Sequence, residues 1–144
     1  MKTYVGQGVN RLDGLEKVTG TARFTHDVVL PGMLHAKVLR SPHAHARIIS
    51  IDTGAAEALP GVKAIATWEN TPHRLFNASA FSVLATPDFV PVLDQYIFDD
   101  RVRFVGDEVA AVAASSEKIA AEAVKLIRVE YEVLPAVFDP METI

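Results

Sequence analysis

Cysteine is absent from the 144 residues of this chain. Its absence excludes disulfide bridges, thiolate nucleophiles and cysteine-held zinc or iron–sulfur clusters within the chain. No apolar run reaches about 18 residues, the length that a membrane-spanning helix needs. The first residues, Met1 to Gly6, lead into no apolar segment of a signal peptide. We therefore predict a cytoplasmic protein with no membrane partner.

Several motifs of common enzyme classes are also missing. Neither phosphate-binding pattern, G-x-x-x-x-G-K-[ST] or G-x-G-x-x-G, occurs in the sequence, and there is no G-x-S-x-G elbow for acyl transfer. Basic residues are outnumbered, 14 Lys plus Arg against 18 Asp plus Glu, and they are scattered. This charge balance argues against nucleic acid as a partner.

The composition that remains is that of a globular protein with one core. Hydrophobic residues make up 49% of the chain and charged residues 22%. A domain of this length buries roughly 68–70% of the surface that its unfolded chain exposes. One folded domain is therefore expected without any covalent or metal cross-link.

The stretch from Gly32 to Asp52 is the centre of the predicted fold. Leu34, Ala36 and Val38 alternate with polar residues, which predicts a strand that turns these three side chains to the core. β-branched residues near Ile48 predict a second strand. Pro42 separates the two, because proline cannot donate to a strand ladder.

Two strand–helix–strand units follow from the pattern after Asp52. The first has a short helix at 53–59 and a strand at 62–67. The second has an apolar strand within 101–114, turned at Gly106, then a helix capped by Ser115 or Ser116, and an alternating strand at 128–133. If the strands of a unit are parallel and share a sheet, their crossover is right-handed. The expected architecture is a mixed sheet with helices packed on it.

Five segments of the chain resemble one family, the molybdenum-binding subunits of xanthine dehydrogenases and aldehyde oxidases. The segments are Arg11–Gly14 (RLDG), Lys17–Asp27 (KVTGTARFTHD), Leu30–Ile48 with its LPGMLHA and RSPHAHARI motifs, Val102–Gly106 (VRFVG) and Glu130–Pro135 (EYEVLP). The resemblance covers nearly the whole chain and is weaker between about 70 and 100.

The resemblance implies an amino-terminal α/β hammerhead domain. It places an extended arm at 1–27 and the domain at 28–144. It also implies a structural, non-catalytic module of a molybdenum hydroxylase, an enzyme that oxidises aldehydes or aromatic N-heterocycles with water as the oxygen source. Molybdopterin and molybdenum are then expected in the remainder of the subunit, and iron–sulfur clusters and FAD on partner domains or subunits. The 144-residue chain is expected to be inactive alone.

A long segment at 68–98 leaves a different function open. Three prolines interrupt its apolar runs, and a loop of this length in a compact domain is usually functional, disordered or supported by a partner. Its apolar residues, among them Phe76, Phe81 and Phe89, favour a partner surface. The alternative to a structural module is therefore a free-standing domain that binds a small molecule or peptide through loop 68–98.

Two constellations could carry chemistry. His43 and His45, two apart on a predicted strand, would point to one face and could share a metal with a third ligand such as His35 or His73. Structural histidines are the commoner outcome. Asp107 and Glu108 after Gly106 form a carboxylate pair that could contain a general base.

A solvated turn at the edge of the sheet explains that carboxylate pair better than a general base does. For His43 and His45, a structural role is favoured over metal binding. We therefore predict no catalytic, cofactor-binding or metal-binding residue in this chain. A small enzyme built on these residues is the least favoured interpretation.

Overall fold

The computed structural model describes residues 5–76 and 93–143, and the chain divides into two compact units between Met33 and Leu34. The amino-terminal unit contains helix α1 (Gly14–Thr19) and a 3-10 turn (Thr25–Asp27). The described part of the second unit contains β1 (His35–Arg40), β2 (Ala46–Asp52), α2 (Gly54–Glu57), β3 (Val62–Thr67), β4 (Arg101–Val102), β5 (Glu108–Ala114), α3 (Glu117–Leu126), β6 (Arg128–Val133) and a 3-10 turn (Pro140–Thr143). The predicted boundary between an arm at 1–27 and a domain at 28–144 stays a prediction.

An extended arm was expected at 1–27, but the amino-terminal unit contains a short helix and is not extended throughout. Asp13 precedes α1, and its carboxylate is paired with Arg11 and Lys17, which hold the pKa of Asp13 below its ordinary value. Gly20 ends the helix with a φ of 72°, a conformation that glycine adopts at little cost. The ion pairs of Asp13 and the Gly20 cap therefore stabilise a helix of about one and a half turns inside the predicted arm.

The apolar side chains of this unit are exposed. Val5, Leu12, Val18 and Phe24 are each more than half exposed. Apolar side chains so placed gain little from the hydrophobic effect, which depends on their removal from water.

Six strands of the second unit form two three-stranded sheets. Sheet 1 has the order β1-β5-β3, and sheet 2 has the order β4-β2-β6. Every pair of neighbouring strands is antiparallel. The α/β class of the hammerhead fold is confirmed, whereas the expected single mixed sheet is corrected to two antiparallel sheets.

Each strand–helix–strand unit changes sheets, which explains the correction. The first unit leaves sheet 2 with β2, passes through α2 and enters sheet 1 with β3. The second unit leaves sheet 1 with β5, passes through α3 and enters sheet 2 with β6. The two strands of a unit therefore never pair with each other, and no parallel pair arises among the described strands.

Helix α3 joins the two sheets and was predicted well. Ser116 is its N-cap, and the Oγ of Ser116 accepts a hydrogen bond of 3.3 Å from the backbone N–H of Ile119. Ala120 and Ala123 are buried on one side of the helix, and Ile127, the residue directly after it, is buried as well. This face packs near α2, whose Ala56 is also fully buried.

The core consists of two clusters that share neighbours. One gathers Ala56, Ala110, Val112, Ala123 and Ile127 between sheet 1 and the helices. The other gathers Ala46, Ile48, Val102 and Val109 beside sheet 2. The half-buried Leu39, Ile51 and Val129 pack against both clusters, so the two sheets share one continuous apolar interior.

Strand β1 faces the core with the side opposite to the one predicted. Leu39 packs against the core, while Ala36 and Val38 are exposed. Lys37, on the Leu39 side, reaches Glu117 of α3 with 2.6 Å between Nζ and Oε1. The prediction failed because it assumed that the more apolar side of the strand turns inward.

Among the described helices the longest, α3, has ten residues, and none is long and apolar enough to cross a bilayer.

Candidate functional site

The two histidines with metal-ligand spacing lie in a bend between β1 and β2, not on a strand. Residues 42–45 are bends, and β2 begins only at Ala46. Ser41 is buried, and its Oγ lies 3.0 Å from both the N and the O of His43, which fixes the bend. The strand rule that would have aligned His43 with His45 therefore does not apply here.

Each histidine has a structural partner of its own. The ring of His43 packs edge-on against Tyr131, with the centroids 4.9 Å apart, and burial raises the pKa of the Tyr131 phenol. The Nδ1 of His45 lies 2.6 Å from the carbonyl oxygen of Pro135. Within residues 5–76 and 93–143, no three His, Asp or Glu side chains are placed to hold a metal. The bend thus joins β1 and β2 to the end of β6.

The carboxylates of Asp107 and Glu108 are used to build the turn before β5. Gly106 has a φ of 96°, and Asp107 Oδ2 accepts a 2.8 Å hydrogen bond from the backbone N–H of Arg103. The Nη1 of Arg40 donates 2.7 Å bonds to Glu108 Oε1 and to the carbonyl oxygen of Gly106. The pair therefore points to two different partners, and no shared proton site is formed.

Arg103 extends this network to Asp99. The Nη1 of Arg103 donates to Asp99 Oδ2 at 2.7 Å. Burial raises the pKa of Asp99, but hydrogen bonds from Arg103 and the Asp100 backbone outweigh that effect, and the net pKa is lowered. A lowered pKa makes the Asp99 carboxylate a weaker base, and its Oδ2 already accepts a hydrogen bond from Arg103, so the network favours a structural role.

The described ends of loop 68–98 are ordered against each other. Asn70 closes the first turn, where its Oδ1 accepts from the N–H of Thr67 and its Nδ2 donates to the carbonyl of Ile65. The backbones of Phe76 and Gln95 exchange two hydrogen bonds of 2.8 and 3.0 Å. The rest of the predicted binding loop, residues 77–92, lies outside the described residues.

Aromatic rings connect these ends of the loop. The His73 ring lies between Trp68 and Tyr96, with centroid distances of 6.2 and 5.3 Å. The Nε1 of Trp68 is shielded from solvent and has no hydrogen-bond acceptor among the described residues. A cleft of about 340 Å³ adjoins this row and is lined by Phe76, Tyr96, Phe104 and acidic side chains.

A second cleft was not predicted from the sequence. It has about 630 Å³ and is lined by Phe104, Val105 and Phe138 together with Arg101 and His45. All three apolar side chains are more than half exposed. A continuous strand through 101–106 would place Phe104 on the same face as Val102, but β4 ends at Val102, and Val102 is buried whereas Phe104 is exposed.

The resemblance places molybdopterin in the remainder of the subunit and assigns none of these residues to it. The described residues contain no three-ligand cluster, and the chain has no cysteine. The described His, Asp and Glu side chains of both candidate constellations already serve turns and strand ends. No step of molybdenum chemistry is therefore derived from this chain.

A comparison with known families finds a match over most of the chain. Residues 19–135 match the family described as aldehyde oxidase and xanthine dehydrogenase, a/b hammerhead domain. The match includes all six described strands and both helices of the second unit.

Curated relatives are much longer than this chain. The chain is 40% identical over 130 residues to the xanthine dehydrogenase molybdenum-binding subunit of Escherichia coli O157:H7, an alignment that covers 90% of this chain and 17% of that protein. It is 36% identical over 147 residues to the gamma subunit of the 6-hydroxypseudooxynicotine dehydrogenase complex of Paenarthrobacter nicotinovorans, an alignment that covers 99% and 18%. The chain thus spans less than a fifth of either relative.

Solved structures agree in fold. A crystal structure of Cu,Mo-CO dehydrogenase superposes with a TM-score of 0.83 at 35% identity, over 96% of this chain and 16% of that one. Quinoline 2-oxidoreductase from Pseudomonas putida 86 gives 0.77 at 40% identity, over 95% and 17%. These matches place the two-sheet architecture in one known fold, and the chain belongs to the a/b hammerhead domain family of aldehyde oxidases and xanthine dehydrogenases.

Proposed function

We propose that the chain acts as the hammerhead module of a molybdenum hydroxylase large subunit and carries no catalytic residue itself. The observation that carries this proposal is the length comparison: the whole fold matches less than a fifth of relatives whose names include xanthine dehydrogenase and 6-hydroxypseudooxynicotine dehydrogenase. The structural use of His43, His45, Asp107 and Glu108 supports it.

The parent enzyme, in this proposal, oxidises an aldehyde or an aromatic N-heterocycle and takes its oxygen from water. Molybdopterin and molybdenum bind elsewhere in the large subunit, and iron–sulfur clusters and FAD belong to partner domains or subunits in the cytoplasm. The module contributes a rigid body on which other parts of the subunit pack, because a protein scaffold orients a cofactor and excludes competing reactions.

The proposal is tested on the native polypeptide. An antibody raised against the 144-residue chain is used to blot an extract of the source cells and to isolate the polypeptide that carries it. We expect a band several times heavier than 15.6 kDa and molybdenum in the isolated material, measured by inductively coupled plasma mass spectrometry.

The recombinant chain alone is the matched control and is expected to contain no molybdenum after expression in a host that makes the pterin cofactor. Stoichiometric molybdenum in the short chain would contradict the proposal. A native band at 15.6 kDa would also contradict it and would make the free-standing binding domain the leading function.

A further inference from the structure

One face of sheet 1 is apolar and has no covering layer among the described residues. The strand register places Ala36, Ala113 and Ala64 in one row across β1, β5 and β3. The next row is Val38, Ala111 and Ala66. Residues paired across antiparallel strands share a face, so these six side chains form one surface, which we call the alanine face.

Burial confirms that the alanine face points away from the core. Ala36, Val38 and Ala64 are exposed, and Ala66, Ala111 and Ala113 are half-buried. On the opposite side of β5, Ala110, Val112 and Ala114 are fully buried. Helix α3 and the core therefore cover only one of the two faces of the sheet.

Charge separates the alanine face from an ordinary solvated sheet surface. No charged residue occurs in its two rows, and Arg40 and Glu108 pair with each other at its border. The outer face of sheet 2, built by the same chain, carries Arg47, Glu130 and Glu132. An antiparallel sheet with one wet side normally alternates apolar and polar residues, and β5 does not.

The residue types indicate a permanent cover instead of a dissociable partner. Interfaces between separate proteins are enriched in Tyr, Trp, Arg and Met, and their binding energy concentrates in such residues. The alanine face has only Ala and Val, like the interior of a layered domain. Small side chains also make it flat, so a helix with large apolar side chains can approach closely.

We propose that the alanine face is covered by an apolar α-helix of the same polypeptide, which forms the third layer of the domain. This inference rests on the proposed function, because the covering helix belongs to the part of the large subunit beyond this chain. The relatives offer the necessary length, since this fold accounts for 17–18% of them.

The absence of cysteine in this chain makes labelling a clean test. Ala64→Cys, on the alanine face, and Ser50→Cys, on the outer face of sheet 2, are introduced separately into the complete native polypeptide. Maleimide labelling of the peptide that contains each new cysteine is followed by mass spectrometry and is normalised to labelling in urea. Ala36→Cys, on the opposite edge strand, is a second variant in case Ala64→Cys does not fold.

We expect Ala64→Cys and Ala36→Cys to react roughly tenfold or more slowly than Ser50→Cys, because labelling must wait for local opening of the covering layer. Equal rates at all three positions would overturn the inference. Protection that falls on dilution would also overturn it, because a second molecule would then be the cover. Either result leaves the native mass and the molybdenum content, and hence the proposed function, unchanged.

Discussion

The outer faces of the two sheets differ in charge although one chain builds both. Arg47 and Glu132 of sheet 2 lie 3.4 Å apart, and Ser50 Oγ donates to Glu130 at 3.3 Å. In sheet 1 the corresponding rows contain only alanine and valine. The difference teaches that the two exposed surfaces have different roles: the outer face of sheet 2 suits contact with water, and the alanine face of sheet 1 suits contact with another layer of protein.

Placing one charge on each side of β5 is the strongest way to probe this comparison. Val112→Asp puts a carboxylate where the side chain is fully buried, and we expect it to cost about 4 kcal/mol or more of the free energy of unfolding. Ala113→Asp, one residue along on the alanine face, is expected to cost about 1 kcal/mol in the 144-residue chain.

Urea unfolding followed by circular dichroism measures both variants. Similar losses for the two variants would show that the alanine face is already packed within this chain, and would break the comparison.

Two glycines with positive φ compare a crowded position next to α3 with an open position in the turn before β5. Gly61 has a φ of 99°, and a Cβ there would lie 2.7 Å from Ile119 Cδ1 and 2.8 Å from Ser115 Oγ. Gly61→Ala is therefore expected to lower the free energy of unfolding by about 2 kcal/mol. The control is Gly106→Ala, with a φ of 96° and no atom within 4 Å, for which backbone strain alone predicts about 1 kcal/mol.

The same urea titration measures both glycine variants. Equal losses would mean that the contacts of α3 with the start of β3 relax without cost, and that backbone conformation alone explains both effects.

The smallest expected effect is on sheet 2. Arg47→Ala removes a pair whose two side chains are each about half exposed, and such pairs contribute less than about 1 kcal/mol. Thermal unfolding at low and high salt measures the change, which salt should reduce further. A large loss would show that the outer face of sheet 2 is also part of a packed interface.

Local signals in the sequence predicted individual elements well. Strand β3 occupies residues 62–67 as predicted, and Ser116 caps α3 because its side chain reaches a backbone N–H only three residues away. Which strands pair with each other could not be predicted. β1 and β3 pair with β5, which is distant from both in the sequence, and no local pattern encodes such contacts.

The failed face of β1 has a physical cause that the structure makes plain. The sequence rule turns the more apolar side inward, but Ala36 and Val38 are apolar and exposed, while Lys37 shares the inner side with Leu39. The placement of His43 and His45 on a strand was wrong for a different reason. The bend at 42–45 is held by the buried Ser41, whose Oγ bonds to the backbone of His43, and no strand pattern reveals that contact. When the more apolar side of a strand is the exposed side, the alternation rule predicts the wrong face as buried.

Because the chain alternates between the two sheets, neither sheet can form until distant strands are present. Arg40 meets Glu108 across 68 residues, and His45 meets Pro135 across 90. Closing such loops costs entropy before the contacts repay it, and proteins dominated by distant pairings fold slowly. During synthesis, sheet 1 must wait for β5 and sheet 2 for β6, so neither described sheet can be complete when the ribosome has reached residue 100 of this chain.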